Sequence, residues 1–564
     1  MTDSLKPART GGRILVDQLL IQGCDRIFTV PGESFLAVLD ALHDTPEIQT
    51  VICRQEGGVG FMACADGALT QRPGVAFVTR GPGATNASIG VHVAMQDSQP
   101  MILFIGDVDR GMRDREGFQE VDFSAMFAPL AKLVLRIDDA RRIPEYVARA
   151  YSVAVSGRPG PVVIALPEDM LCDVVDAVDR PRVPEIWQAP SASRLAWLEQ
   201  CLHDAERPIA IIGGAGWTPG AAASFQAFAE RWGIPVASAF RRQDAMANDS
   251  AVWAGNLGYG PNPKLIARIK AADLILAVGA RLGEATTDGY SLITPDHPGQ
   301  VLVQVHPDAD EFNHVYRVDV PICASVTEFA AHAAATVVPD QKRRLKVNGP
   351  LPFTSGAEAH SEWRAWNTPT PFDTPLDLGM CVAAMHERLP ADTIICNGAG
   401  NFSGWWHRYW PYGGPGTQLA PTAGAMGYGP PAAVAASLRH PDRCVIALAG
   451  DGDFMMNGQE LATAIQFGCS LLVLIIDNGS YGTIRMHQER EYPARLSGTT
   501  LQNPDFAALG RAYGAWAETV EMTADFAPAL DRAMAQPGVR LLHLKTDVER
   551  ISAGTTIGAL RGRT

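Results

Sequence analysis

Short, continuous apolar runs alternate along the chain with longer segments of small and apolar residues, and the alternation occurs in three series. In the first third, "RIFTV", "TVIC", "VAFVT", "MILFIG" and "PVVIAL" read as strands, being short and rich in β-branched and aromatic residues. Between them, "SFLAVLDAL" and "EGGVGFMACADGAL" have the composition of packed helices. Strand and helix in turn is the signature of a parallel sheet covered by helices. The proline-spaced stretch "RPRVPEIWQAPSAS" near residues 180–193 reads as a linker. A second series follows, with "PIAIIGG", the helical "AAASFQAFAERWG", "DLILAVG" and "VLVQVH". The polar, Pro- and Gly-bearing "VVPDQKRRLKVNGPLPFTSGAEA" then reads as a longer linker. A third series begins near residue 372, with strands "DTIICNG", "RCVIALAG", "LLVLIID" and "VRLLHLK". The expectation is an α/β chain of three doubly wound parallel-sheet domains, at residues 1–182, 192–338 and 372–564.

Length and composition agree with several soluble domains: 564 residues is long for one core, with 47% hydrophobic and 19% charged residues. The 61 acids outweigh the 47 bases to give a net charge of −14. The one basic tract, "QKRRLK", is short, so nucleic acid is not an expected partner. Apolar runs such as "LLVLII" are strand-length, far below the ~20 residues of a membrane span, so no membrane partner is expected. The start "MTDSLKPART" has no apolar signal core, which points to the cytoplasm. Ten cysteines lie scattered without a Cys-x-x-Cys pair, so neither zinc ligation nor disulfides are expected.

The chemistry concentrates where the apolar run Val445 to Ala449 ends abruptly in Gly450-Asp451-Gly452. Asp451 follows a strand, at the carboxyl end where α/β sheets bind ligands. Gly452 permits close backbone approach, and a helix, "GQELATAIQFG", is expected to start a few residues later. A loop feeding a helix N-terminus offers free N–H groups to a phosphate. The next strand ends in Asp477-Asn478-Gly479-Ser480, and 478 − 451 = 27 residues is about one helix plus one strand. Neighbouring parallel strands would therefore bring Asp451 and Asn478 together. A carboxylate, an amide oxygen and a backbone carbonyl, completed by two phosphate oxygens and a water, make a Mg²⁺ octahedron. Two ordinary turns would explain each strand end singly, but not oxygen ligands at both.

The combination "GDGDFMMN…IIDNGSYG" resembles the motif of thiamine diphosphate enzymes. The resemblance implies that Asp451, Asn478 and the carbonyl of Ser480 hold Mg²⁺. It puts Gly450, Gly452, Asp453 and Tyr481 among the residues around the cofactor, Asp453 standing where a Ser is common. "NGAGNFSGW" is similar to the family's other diphosphate loop and implicates Ala399, Gly400, Asn401 and Phe402. "PTAGAMGYGPPAA" matches a loop in which Met426 wedges beneath the thiazolium and Gly424 offers its carbonyl to the 4′-amino group. A Glu in a first helical turn often only compensates the helix dipole. Here "TVICRQEGGVGFMACADGAL" resembles the Arg-His-Glu stretch of acetolactate synthase-like enzymes, so Glu56 falls on their catalytic glutamate and Gln55 on the His. Similarity continues through "RGPGATNASIGVHVAMQDSQPMILFIGD", "SGRPGPVVIALPED" and "ICASV", covering nearly the whole chain. It implies pyrimidine-binding, middle and diphosphate-binding domains, with the site completed across the subunit interface of a homodimer or homotetramer.

The family's chemistry implies a small 2-oxo acid as substrate, decarboxylated and then either protonated to an aldehyde or joined to a second carbonyl compound. "EGFQEVD" resembles the Phe-Gln-Glu stretch of acetolactate synthases and places Phe118 and Gln119 at the reacting centre. Two positions depart from that pattern. "RLGEA" ends in Ala285 where an Arg would clamp an acceptor carboxylate, and a methyl group cannot replace a bidentate contact. His487 aligns with a Trp that lines the acceptor pocket in acetolactate synthases, and the resemblance makes it a further catalytic candidate. In "TVPGES", Glu33 stands where keto-acid decarboxylases place an acid used for proton transfer; it reads as a second acid/base or as a cap of the following helix. "GGAGW", "GNLGYG" and "GARLGEATTD" resemble parts of the FAD site of some relatives, but its Asp-Asp-Arg portion is missing, and FAD is not favoured. The leading expectation is a thiamine diphosphate- and Mg²⁺-dependent decarboxylase/carboligase resembling acetolactate synthase. The alternatives are an FAD-dependent oxidase of pyruvate oxidase type and a decarboxylase that releases aldehyde. The C-terminal "LKTDVERISAGTTIGALRGRT" either closes over substrate or packs on the surface.

Overall fold

The computed structural model describes residues 8–293, 299–336 and 356–562. Each apolar series forms one six-stranded sheet, and every strand pairing within these sheets is parallel. In space the first sheet runs Gln49–Ile52, Arg26–Thr29, Gly74–Val78, Met101–Asp107, Pro161–Pro167, Leu133–Arg136. The middle sheet runs Trp253–Asn256, Val236–Ser238, Pro208–Ile212, Leu274–Val278, Val301–His306, Val320–Cys323. The third runs Gln418–Leu419, Ile394–Asn397, Val445–Gly450, Leu471–Asp477, Val539–Lys545, Trp516–Val520. A two-stranded antiparallel ribbon, Arg9–Thr10 with Val174–Val175, ties the start of the first unit to its end.

The strands that the apolar pattern did not disclose are, but for Val236–Ser238, the sheet edges: Leu133–Arg136, Trp253–Asn256, Val320–Cys323, Gln418–Leu419 and Trp516–Val520. An edge strand is covered on fewer sides than a central one, so its sequence carries a weaker apolar signal. The central strands Met101–Asp107, Pro161–Pro167, Val445–Gly450 and Leu471–Asp477 are buried at every residue and read as continuous apolar runs.

First and third sheets share one winding: numbered by chain order, their strands lie 2-1-3-4-6-5. The direction of winding reverses between strands 1 and 3, and ligands of doubly wound sheets bind in the crevice beyond the carboxyl ends at such a reversal. In the third sheet that crevice lies between the ends of Ile394–Asn397 and Val445–Gly450.

One apolar core joins the first and third units. Helix Glu56–Thr70 packs on helix Gly81–Asp97 so closely that a Cβ on Gly90 would sit 2.4 Å from Gly60 Cα. On the third unit's side, the Tyr428 ring meets Phe61 edge-on at 5.4 Å.

Two local expectations are corrected. The helix beyond Gly452 starts at Asp451 itself, capped by extended Gly450, tightens into a 3₁₀ turn over Gly458–Glu460 and resumes at Leu461–Gln466. The glycines made this stretch look like a loop, whereas only Gly450 stands outside the helix. Of the longer linker, residues 337–355 lie outside the described residues, and its end, Gly356–Asn367, is a helix. Its buried Ala359 and Trp363, one turn apart, dock on the middle unit, where Trp363 meets Trp253 edge-on. Among the described residues no helix is long and apolar enough to cross a membrane.

Candidate active site

Parallel register brings the two acidic strand ends together. Gly450 pairs with Ile476, which sets Asp451 level with Asp477 and one residue short of Asn478. The Ser480 N–H then donates to Asp451 Oδ2 at 3.2 Å and to Asn478 Oδ1 at 3.1 Å. Both oxygens thus lie within hydrogen-bond reach of a single nitrogen, as the spacing of 27 residues led us to expect.

Asp451 is 3% exposed and also accepts from Gly452 N at 2.9 Å and Asn503 Nδ2 at 2.7 Å. Burial pushes its carboxyl above the usual range, and the neighbouring Asp477 adds to that push. Asp477 is buried too, yet His543 Nε2 at 2.8 Å and Lys545 Nζ at 3.0 Å hold it well below that range. Asn503 Nδ2 donates to both acids, reaching Asp477 Oδ1 at 2.8 Å. The sequence pattern carried no sign of Asn503, His543 or Lys545, because they reach the site from two later segments, His543 and Lys545 together on strand Val539–Lys545.

A cavity of about 230 Å³ opens at this point. Ala399, Gly400, Asn401 and Phe402 line it, with Gly450, Asp451, Gly452 and Asp453, then Asn478, Ser480 and Tyr481, and finally Gly424 and Met426. Every residue anticipated for metal or cofactor therefore meets in one place. At Gly452 a Cβ would come within 2.5 Å of the Tyr481 ring, so the close approach requires glycine. Gly424 has φ +70°, the left-handed region that glycine enters without strain. Asn401 is fixed by Thr483, whose Oγ accepts from its N–H at 3.0 Å, and by the Ile551 carbonyl, which accepts from its Nδ2 at 3.0 Å.

Asp453 turns away from the open space. Its Oδ1 accepts from Gly427 N at 2.7 Å and Ala399 N at 3.3 Å, joining two glycine-bearing loops, while its Oδ2 has no hydrogen-bond partner among the described residues. Burial pushes its pKa up to about 7. A serine could not bridge these two loops in this way, since it lacks the reach of a carboxylate.

The loop carrying Met426 is held from all three units. Asp97 Oδ1, at the end of helix Gly81–Asp97, accepts from Thr422 N at 2.8 Å and from its hydroxyl. Arg241 of the middle unit donates to the Pro421 carbonyl, and Asn457 Nδ2 donates to the Gly427 carbonyl at 3.1 Å. Neither Asp97 nor Arg241 carried any sequence signal of this role. Asp97 is half-buried, and its desolvation pushes its pKa from the usual 3.8 up to about 6, against the bonds from Thr422. A raised pKa in the folded state means that the folded chain holds this proton more tightly than the unfolded one. The stability so contributed is complete below about pH 4 and is lost as pH rises through about 6. Asp97→Asn is therefore expected to gain on the wild type by up to ~3 kcal/mol between those limits. Thermal midpoints measured across the window check this, and parallel curves for the two proteins would refute it.

The residues anticipated for catalysis lie outside the cavity. Glu56 opens its helix behind Gln55, whose side chain caps it by accepting from Gly58 N at 3.1 Å. Glu56 Oε2 accepts from Asn86 Nδ2 at 3.0 Å. Glu33 starts a 3₁₀ turn and pairs with Arg80 Nη1 at 3.0 Å, rather than with Glu56. Arg80 also binds Glu168. Phe118 is 73% exposed, and Gln119, at φ +64°, accepts from Gly81 N through its carbonyl. His487 is exposed on helix Gly482–Glu491, whose first turn lines the cavity. The C-terminal segment packs on that helix: Arg561 forms a two-pronged pair with buried Glu489 at 2.8 and 2.7 Å.

A larger cavity, about 740 Å³, opens at the junction of the three units, away from the acidic pair. Of the stretches resembling an FAD site, residues 214–217 and Gly279 line it, and "GNLGYG" does not.

Comparison with known proteins matches three family descriptions in order. The N-terminal TPP binding domain of thiamine pyrophosphate enzymes matches residues 9–126, the central domain 195–332 and the C-terminal TPP binding domain 398–544. The acetolactate synthase large subunit of Lactococcus lactis subsp. lactis is 30% identical over 521 residues, covering 90% of this chain and 88% of that protein. The large subunit of Corynebacterium glutamicum is 29% identical over 545 residues, covering 94% and 86%. Acetolactate synthase isozyme 2 large subunit of Escherichia coli K12 is 27% identical over 542 residues, covering 95% of each.

Proposed function

The chain belongs to the thiamine pyrophosphate enzymes resembling acetolactate synthase, and from that premise we propose that it decarboxylates a 2-oxo acid and joins the remainder to a second carbonyl compound. The observation that carries this reading is the single Ser480 N–H bonded to both Asp451 and Asn478 at the mouth of a glycine-lined cavity. Buried carboxylate and amide oxygens at a helix N-terminus suit a hard divalent cation and an anionic diphosphate. Asp451, Asn478 and the Ser480 carbonyl would hold Mg²⁺, while Ala399 to Phe402, Gly450, Gly452 and Tyr481 would enclose the diphosphate. Asp453 would position those loops through its bonds to Gly427 and Ala399, and Met426 and Gly424 would face the rings. Thiamine diphosphate, when bound, supplies a carbon centre that adds to the 2-oxo group and accepts the electron pair left as CO₂ departs.

Glu56 would hold a proton at the aminopyrimidine N1′. Because Glu56 does not line the cavity of its own chain, the reading includes a homodimer or homotetramer in which one chain's Glu56 meets another's Asp451. The exposure of Phe118 supports the same arrangement, placing Phe118 and Gln119 against a second copy's cavity. Units at 1–182, 192–338 and 372–564 are part of this reading, supported by sheets that exchange no strands. FAD is left out of it: Arg281 in "RLGEA" faces Glu311 at 3.6 Å and donates to the Gln96 carbonyl. A colourless purified protein is expected, and a flavin spectrum would restore the oxidase reading.

Supplying thiamine diphosphate, Mg²⁺ and pyruvate and following products by NMR tests the reaction. A hydroxyketone, acetolactate or acetoin, is the expected result. Acetaldehyde alone would favour the second reading, aldehyde release with Glu33 as proton donor, for which Ala285 in place of a carboxylate clamp speaks. Failure to consume pyruvate or any larger 2-oxo acid would refute both.

A further inference from the structure

The cavity at Asp451 is lined by the carboxylates of Asp451 and Asp547, with Asp453 turned into its wall, and among the described residues its single cationic side chain is Arg550. An empty charge balance of this kind would repel a diphosphate, and two charges of Mg²⁺ would not fully offset it. Arg550 is held for a purpose other than an internal ion pair. Its guanidinium carbon lies 3.9 Å from the centre of the Phe372 ring, and its Nη2 donates to the Ala553 carbonyl at 3.1 Å. No carboxylate among the described residues lies within ion-pair distance of it. Behind it, Arg408 Nη1 donates to the same carbonyl at 3.3 Å and stacks on Trp366 at 3.7 Å. Two guanidinium groups thus share one carbonyl with no acid between them, leaving positive charge at the cavity wall. The next residue, Ile551, offers its carbonyl to Asn401 Nδ2, which puts Arg550 beside the Ala399–Phe402 loop.

We propose that Arg550 is a cofactor-binding residue that engages the terminal phosphate of thiamine diphosphate from the C-terminal segment. The proposal rests on the reading of this cavity as the cofactor site. Stacking and the Ala553 bond leave the remaining N–H groups of the fork oriented without further ordering, and a guanidinium matches a phosphate in shape as well as charge. The segment after strand Val539–Lys545 then serves as one wall of the binding site and not only as surface packing.

The test compares Arg550→Met, which keeps length without charge, and Arg550→Lys, which keeps charge without the fork. Apoprotein of each is titrated with thiamine diphosphate at fixed Mg²⁺ by intrinsic fluorescence, and with thiamine monophosphate in parallel. Arg550→Met is expected to weaken thiamine diphosphate by about 10- to 100-fold, the size of a lost charge-assisted contact, with Arg550→Lys between it and the wild type. Monophosphate affinity is expected to fall less, so the preference for diphosphate shrinks, while KM for the 2-oxo acid at saturating cofactor stays unchanged. Unchanged diphosphate affinity with a raised KM would overturn the proposal and assign Arg550 to a substrate carboxylate. Equal losses for both cofactor forms, or no loss in either, would overturn it in favour of a structural role. If Arg550→Met fails to fold, the Lys variant carries the same comparison. A wild-type protein that takes up no thiamine diphosphate would instead refute the underlying reading of the cavity.

Discussion

Replacing Glu56 with glutamine is expected to lower turnover of a 2-oxo acid on the order of 10²- to 10⁴-fold while leaving the cofactor bound. Glutamine preserves the size of the side chain and can still accept from Asn86, so the helix start capped by Gln55 should not change. What it lacks is the exchangeable carboxyl proton. Cofactor affinity should persist because the metal and diphosphate contacts of the reading come from Asp451, Asn478 and the glycine loops, which Glu56→Gln leaves intact. Steady-state rates and a binding titration on the same preparation separate the two effects, and full activity would remove Glu56 from the mechanism.

Replacing Asp451 with alanine is expected to abolish Mg²⁺-dependent cofactor binding. The substitution deletes the one carboxylate of the oxygen set, and it also removes one of two acceptors of Ser480 N and one of two acceptors of Asn503 Nδ2. Asn478 would keep the Ser480 N–H but lose the carboxylate it faces across that bond. A loss of cofactor affinity on the order of 10²-fold or more follows from losing both a metal contact and its support. Calorimetric titration with and without Mg²⁺ measures it; a variant that binds as the wild type does would sink the metal assignment.

The two variants together test the subunit interface. If each site takes Glu56 from one chain and Asp451 from another, a dimer of one E56Q and one D451A chain contains one intact site and one doubly altered site. Unfolding and reassembling an equal mixture should restore about a quarter of wild-type activity, from half the dimers having one working site of two. A site built within one chain predicts no recovery, because every chain in the mixture is damaged.

Much of the molecule was legible before any coordinates. Fully buried central strands must be apolar along their whole length, so Val445–Gly450 and Leu471–Asp477 announced themselves, and so did the Gly-Asp-Gly that interrupts the first. Glycines forced by close approach, such as Gly452 against Tyr481, are also written locally. These features arise from the immediate surroundings of each residue, which is the kind of information a short window of sequence holds. Five of the six edge strands escaped because they are short and pair on one side only, which demands less of their sequence. Asn503, Asp97, Arg241 and Arg550 escaped for a different reason. Each meets a partner more than 20 residues away in the chain or in another unit, Arg550 through the Phe372 ring, and no local pattern records which distant group a side chain will meet. The sequence by itself determined three α/β units, the cofactor motif and the acids to watch. Only the tertiary structure decided that parallel register sets Gly450 against Ile476, so that one N–H serves both Asp451 and Asn478, and that Glu56 stands outside its own chain's cavity. Strand order and register come from packing over the whole sheet, and that long-range cooperation is what a linear pattern cannot carry.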